Sequence, residues 1–485
     1  MTDSSSYELV IGFETHLELA TVTKMFCGCS ARTFGAPPNS HVCPVCLGLP
    51  GSLPVTNRRA IELGIAVGLA LRCDVPDATK FDRKNYMYPD LPKGYQISQY
   101  DLPLNVNGHV DIETSSGKKR VRIRRVHLEE DTGRLLHVPG ASLVDFNRSG
   151  VPLMEIVTEP DLRSVEEALA YAQALREILI YTGASEARME EGAIRFEPNV
   201  SIRFQQDGKT VWPPQSEIKN LNSFRAIERA IPYEAERLWT EWRQGGEIRT
   251  RTGKITMGWD DAKERTYLQR TKEAEQDYRY FPEPDIPFLA PRRELVEEVR
   301  GSLPEMPEAR RARFMREYAV AAKDAAILVE TPMVADYFER SARESKAGGK
   351  LAANYVLRDV LKLVKDRGID PEILRAPEWS LAPVLDAVAS AVMSSSQASA
   401  AIETAFRQNI PIREIVARPE FQQLSDESAI ARAVDDAIKA NPQMVADYKS
   451  GKRQALEALF GAVMKLTRGK ANPALVRQSL QKRLA

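Results

Sequence analysis

Glu14 and His16 stand two residues apart in the run Val10–Leu19, VIGFETHLEL, which reads as a strand. Successive strand side chains point to opposite faces, so these two share a face, and Glu18 falls on it as well. A carboxylate beside an imidazole can hold a divalent cation or relay a proton. More acidic groups could join them: Glu129 and Glu130 in HLEED, and Glu155 in PLMEIV. Glu155 is flanked by Leu153, Met154, Ile156 and Val157, a run that reads as buried. A buried carboxylate is costly unless a cation or a metal offsets it. Spacing alone leaves two readings open: a metal site, or a structural ion pair with an arginine such as Arg124 or Arg148.

The run Phe81–Gln99, FDRKNYMYPDLPKGYQISQ, is the second concentration of chemistry. It holds Lys84, Lys93, Tyr86, Tyr88 and Tyr95 and is broken by Pro89, Pro92 and Gly94. No apolar period runs through it, and its Pro and Gly content fixes turns. Two lysines and several phenols held on turns suit an anionic substrate. A solvated surface loop is the plain alternative.

Cys27-x-Cys29 and Cys43-x-x-Cys46 form two thiolate pairs separated by a loop. Four thiolates on two tight turns predict a tetrahedral structural zinc site, with four reduced thiols as the alternative. Cys73 follows the apolar stretch Ile61–Leu71 and reads as a small core residue. His41, His109 and His137 read as surface or capping histidines.

Those groups must be carried by a chain of 485 residues, enough for roughly two to four domains. Lys+Arg and Asp+Glu both total 67, so a nucleic-acid ligand must be sought in local patches. The start MTDSSSYELV lacks the features of a signal peptide, and no apolar run is long enough for a bilayer. A cytoplasmic location without membrane attachment is expected, and the matches to the glycosylation pattern at Asn147 and Asn199 read as chance. Neither a GxxxxGK[ST] loop nor a GxGxxG turn is present. Ser394–Ser396 lacks the glycine-rich flanks and neighbouring lysine of a glutaminase nucleophile.

The predicted fold class is α+β. Residues 1–290 read as a mixed cradle domain with a zinc-binding insertion, residues 291–400 as a helical domain, and 401–485 as a small all-helical tail. Strands are expected over Glu8–Leu19 and Lys119–Leu128. A helix should begin at Val165, with Ser164 and Glu167 forming a capping box and Gly183 ending it. Helical periods continue through Arg292–Gly301, Glu308–Lys323 and Leu351–Arg367, and a last helix is capped by Asn472 with Pro473 in its first turn. The tail is basic: Lys452, Arg453, Arg468, Lys470 and Arg477 could track a phosphate backbone, or form a solvated face.

These stretches together resemble the B-subunit family of aspartyl/glutamyl-tRNA amidotransferases. The likeness rests on FDRKNYMYPDLPKGYQISQ, VIGFETHLEL, HLEEDTGR, LVDFNRSGVPLMEIVTEPD, SEIKNLNSF, DYRYFPEPD and RGKANPALV, in order along nearly the whole chain. In one place the pattern departs: MEEGAIRFEPNVS places Phe196, Glu197 and Pro198 where the family has Cys, Asp and a small residue, so no role is carried over to Glu197.

The resemblance implies a carbon–nitrogen ligase using glutamine as amide donor. ATP would phosphorylate the side-chain carboxylate of misacylated Glu-tRNA or Asp-tRNA, and ammonia would then displace phosphate. It implies Mg²⁺ held by Glu14, His16, Glu130 and Glu155, with Glu129 outside the set. Lys84, Lys93 and Tyr86 would lie where ammonia arrives, and the tail would grip the tRNA. The implied partners are an amidase A subunit and a small C subunit, in a heterotrimer. Zinc would be a staple, present in some members of the family and absent from others. Two rivals remain at this point: a non-catalytic tRNA-binding scaffold, and a metal-dependent hydrolase acting alone.

Overall fold

The computed structural model describes residues 7–245, 254–271, 278–422, 426–467 and 470–484. The chain divides into two compact units, Met1–Met306 and Pro307–Ala485.

The first unit is built on strands β1 (Glu8–Glu18), β2 (Asp82–Asn85), β3 (Tyr95–Ser98), β4 (Asn105–Thr114) and β5 (Gly117–Glu130). A hairpin, β6 (Arg134–Val138) and β7 (Ala141–Asp145), stands apart from the main sheet. The chain continues with β8 (Pro152–Thr158), β9 (Ile194–Gln206), β10 (Lys209–Val211) and β11 (Ser216–Lys219). It finishes the sheet with β12 (Ile255–Asp260), β13 (Arg265–Thr271) and β14 (Phe281–Pro282). The sheet order is β13-β12-β11-β9-β1-β8-β5-β3-β2-β14, with β10 on β9 and β4 on β5. All pairings are antiparallel except β11 with β12.

β1 lies mid-sheet, and its alternation decides what faces what. Phe13 and Leu17 enter the core with Val126 and Leu128 of β5 and Met154 and Ile156 of β8. Burying each such side chain contributes about 1.5–3 kcal/mol. The same core takes Leu63 and Val67 of helix α1 (Arg58–Ala70) and Leu175 and Leu179 of α2 (Val165–Tyr181). Helix α3 (Phe224–Gln244) adds Ile227 and Leu238. Residues of opposite parity on the same strands project the other way.

The predicted strands around β1 and β5 and the helix at Val165 are present. The capping box there is only half formed. Ser164 Oγ accepts from the Glu167 N–H at 3.1 Å. Glu167 itself turns to Lys119 Nζ and the Arg163 N–H, both at 2.6 Å. The last helix, Pro473–Leu484, has the expected cap: Asn472 Oδ1 accepts from the Ala474 N–H at 3.0 Å.

Two expected boundaries, 290 and 400, fall elsewhere. The helix Arg293–Ser302 packs on α1 and gives Val299 to the first core, so the first unit continues past it. The helix Ser395–Gln408 runs through position 400 and belongs to the larger helical cluster, which extends to Phe421. A separate small cluster then runs from Ile430 to Leu484. Among the described residues no helix is long and apolar enough to cross a membrane.

The second unit buries one carboxylate among arginines. Glu339 accepts from Arg313 at 2.6 and 3.0 Å and from Arg310 at 3.0 Å, and also pairs with Arg343. Burial raises its pKa, but the arginines overcome that and bring it down to about 2. A folded-state pKa below the unfolded value means stability present above the unfolded pKa and lost as pH falls through the folded one. Glu339→Gln should therefore cost about 3 kcal/mol at pH 7. Urea titrations should show the gap to wild type closing between about pH 4.5 and pH 2. A gap that stays constant over that range would contradict this.

Candidate active site

The polar face of the sheet carries a pocket to which β1, β5, β8, β9, β11 and β12 all contribute. Antiparallel register sets Glu155 opposite both His16 and His127. His127 Nε2 lies 3.1 Å from Glu155 Oε2, and His16 Nε2 lies 3.7 Å from the same oxygen. Glu129, two residues beyond His127 on the same face, brings Oε1 to 3.9 Å from His16 Nε2. Burial pushes the Glu155 carboxyl up, but His127, His16 and Lys84 outweigh it and hold that group well below the usual carboxylate range.

His16, Glu129 and Glu155 converge so that one ligand atom from each lies within 4.8 Å of the others. The His16 separations are too long for hydrogen bonds, and His16 Nδ1 and His127 Nδ1 are buried without a hydrogen-bond partner. An imidazole with two carboxylates, open toward the pocket, fits a divalent cation that keeps water or phosphate oxygens in its other positions.

Glu130 is not part of this group, which corrects the ligand set expected from the sequence. It has the parity of Leu128 and turns to the opposite side of β5. There Oε1 accepts from the Ile97 N–H at 3.0 Å and from Lys93 Nζ at 2.6 Å. Lys93 goes with it, away from the pocket, into a smaller cavity beside Lys24, Cys27 and Cys46. Glu14 does share the face of His16 but joins a neighbouring group with Glu197 and Glu217. Lysines bridge that group: Lys254 Nζ is 2.7 Å from Glu14, and Lys219 Nζ is 2.7 Å from Glu197.

Lys84 lines this pocket. Burial lowers its pKa, but Glu129, Tyr280 and Glu155 reverse the sign and hold it above the ordinary value. Its Nζ stands 5.0 Å from the Tyr278 ring centre and 5.9 Å from that of Tyr86. Tyr100 and Tyr280 stack at 4.2 Å, 8° from parallel, on the same wall. Asp277, the first residue of the DYRYFPEPD stretch, lies outside the described residues.

The four cysteines meet as their spacing suggested. Cys27, Cys29, Cys43 and Cys46 each place a sulfur within 4.8 Å of the rest. Cys43 and Cys46 sulfurs are 3.9 Å apart, and the Cys43 N–H donates to Cys46 Sγ at 3.2 Å. Hydrogen bonding from Cys27, with Lys24 nearby, holds the Cys46 thiol down to about 4. Cys73 is buried in the main core, as expected.

In the tail, Arg453 and Lys470 are exposed, while Lys452 pairs with Asp447 at 3.1 Å. Arg477 pairs with Glu457 and lies 4.5 Å over the Phe460 ring. Arg468 lies outside the described residues.

His127, Glu217, Lys219, Lys254 and Arg125 are pocket residues that the motif reading missed. For His127 the signal was present, because Val126 and Leu128 are apolar and alternation sets His127 with Glu129.

Two family models match the chain: the GatB/GatE catalytic domain over residues 9–297 and the GatB domain over residues 336–484. A relative from Moorella thermoacetica is 47% identical over 483 residues, covering 99% of this chain and 100% of its own. One from Thermomicrobium roseum is 47% identical over 482 residues, covering 99% of each chain. One from Caldicellulosiruptor saccharolyticus is 45% identical over 483 residues, also covering 99% of each. All three are named as the B subunit of aspartyl/glutamyl-tRNA(Asn/Gln) amidotransferase. With both models and end-to-end likeness at this level, the chain belongs to the B-subunit family of the aspartyl/glutamyl-tRNA(Asn/Gln) amidotransferases.

Proposed function

We propose that this chain is the subunit of a glutamine-dependent carbon–nitrogen ligase that turns Glu-tRNA(Gln) or Asp-tRNA(Asn) into Gln-tRNA(Gln) or Asn-tRNA(Asn). The observation that carries the reading is one pocket holding a His16–Glu129–Glu155 group beside a wall of Lys84, Lys219, Lys254 and Arg125. A free carboxylate cannot be amidated directly, since oxide is too poor a leaving group. Its oxygen attacks the γ-phosphorus of ATP, ADP departs, and an acyl phosphate forms. Ammonia then attacks the carbonyl carbon and phosphate leaves.

The lysines and Arg125 would balance the charge of the phosphates and of the tRNA-borne carboxylate. His127, 3.1 Å from Glu155, would orient that carboxylate. A Mg²⁺ ion held by His16, Glu129 and Glu155 would supply neutralisation of the charge developing on the transferred phosphoryl group. The four cysteines would hold Zn²⁺ as a structural staple. Glutamine hydrolysis falls to an amidase A subunit, assembled with a small C subunit in a heterotrimer, and ammonia would arrive beside the Phe81–Gln99 run. Lys452, Arg453, Arg468, Lys470 and Arg477 would bind the tRNA body. The setting is the cytoplasm, where charged tRNA is used.

Co-expressed with the amidase and its companion, the chain is expected to convert Glu-tRNA to Gln-tRNA in the presence of ATP, Mg²⁺ and glutamine. Tight tRNA binding with no amide product would instead leave a non-catalytic scaffold.

A further inference from the structure

Lys24 is 1% exposed, and among the described residues no carboxylate pairs with its ammonium. Lysine is almost never buried this fully without a counter-charge. Its Nζ donates to Cys46 Sγ at 3.5 Å and to the Phe146 carbonyl at 3.3 Å. Its backbone N–H donates to the Cys29 carbonyl at 2.9 Å. One residue therefore touches both cysteine pairs, the first through its main chain and the second through its side chain. The next residue, Met25, donates its N–H to the Gly150 carbonyl at 2.8 Å, tying the loop to the chain that leads into β8. Gly150 holds a positive φ of 87°, and a Cβ there would stand at ordinary contact distance, 3.5 Å from Cys46 Cβ, 3.6 Å from Lys24 Cδ and 3.7 Å from Glu130 Oε2. Glu130 is the carboxylate in this cavity, and Lys93 already pairs with it at 2.6 Å.

A buried ammonium against four neutral thiols would carry a large desolvation cost with little to offset it. Four thiolates around a divalent ion carry a net charge of about −2, which is the missing counter-charge. From this we infer that Lys24 is a positioning residue for the four-cysteine metal site. It acts in the outer shell, neutralising part of the thiolate charge and fixing Cys46 in place. The inference rests on the zinc reading given above and adds a residue to it.

The test uses the full chain as wild type, Lys24→Met, Lys24→Gln and Lys24→Arg. Zinc affinity is read by competition with a chromophoric chelator, alongside zinc content and Tm with and without metal. Loss of the neutralising group should weaken zinc binding about 10–100-fold in Lys24→Met and Lys24→Gln. Lys24→Arg, which keeps the charge, should recover most of that. Wild-type affinity in both neutral variants, with Tm lowered equally whether or not zinc is bound, would mean a packing role and overturn the inference. Should Lys24→Met fail to fold, Lys24→Gln carries the same comparison with a polar side chain. A wild-type chain that takes up no zinc would overturn the zinc reading itself, and this inference with it.

Discussion

Glu129→Gln should abolish amide formation by the assembled enzyme, lowering it on the order of 10³-fold, while the partner's glutaminase activity persists. The estimate follows from losing several kcal/mol of charge stabilisation in phosphoryl transfer when one anionic ligand is neutralised. Glu129 and Glu155 supply the two carboxylates that meet His16, so Glu155→Gln should behave alike. The instructive control is its neighbour. Glu130 is 2% exposed and bound to Lys93 at 2.6 Å, on the other side of the strand. Neutralising it leaves the largely covered Lys93 ammonium without its carboxylate, which costs about 3 kcal/mol of stability. Mn²⁺ titrations separate the two effects. Glu129→Gln should lose the pocket cation with an unchanged Tm, whereas Glu130→Gln should keep the cation and melt earlier. The reverse pattern would return Glu130 to the ligand set.

Removing the metal from the cysteines should have the largest effect on stability. Between β1 and α1 the chain has little regular structure, and Val22, Phe34 and Val55 are exposed there. Such a segment buries too little to offset its ordering entropy, so a tetrahedral cross-link would supply the difference. Cys46→Ser, or a strong chelator, should cost several kcal/mol, less than the roughly 10–16 kcal/mol typical of zinc-finger peptides because neighbouring packing remains. Proteolysis should then cut within residues 20–57 first. A chelator-insensitive Tm and cleavage pattern would show that the thiols need no ion.

The polar face of the pocket was partly legible in the sequence, and the reasons differ residue by residue. Period-two alternation was enough to put Glu14 and His16 on one face, and the apolar flanks of Glu155 marked a buried strand whose carboxylate needed a cation, a metal or an arginine beside it. The same alternation in VHLEE selects Glu129, since Leu128 must point into the core and Glu130 shares its parity. The acidic pair read as a motif hid that. Lys219 and Lys254 could not be foreseen, because they reach Glu197 and Glu14 only through the pairing of β9, β11, β12 and β1. The cysteine pairs were legible because two short spacings already bring the sulfurs close, leaving one loop to close. The boundary near 290 was misplaced for a physical reason. A helical period shows that Arg293–Ser302 has an apolar stripe, but not that the stripe belongs to α1.

Phosphorylation and amidation of the tRNA-borne carboxylate are both expected on this chain. The direct measurement supplies Glu-tRNA, ATP, Mg²⁺ and ammonium chloride, without glutamine, to this chain with only the small companion subunit. Gln-tRNA with matching ADP release, lost in Glu129→Gln, is the expected result. Tight tRNA binding without amide or ADP under any condition would place the chemistry on another chain.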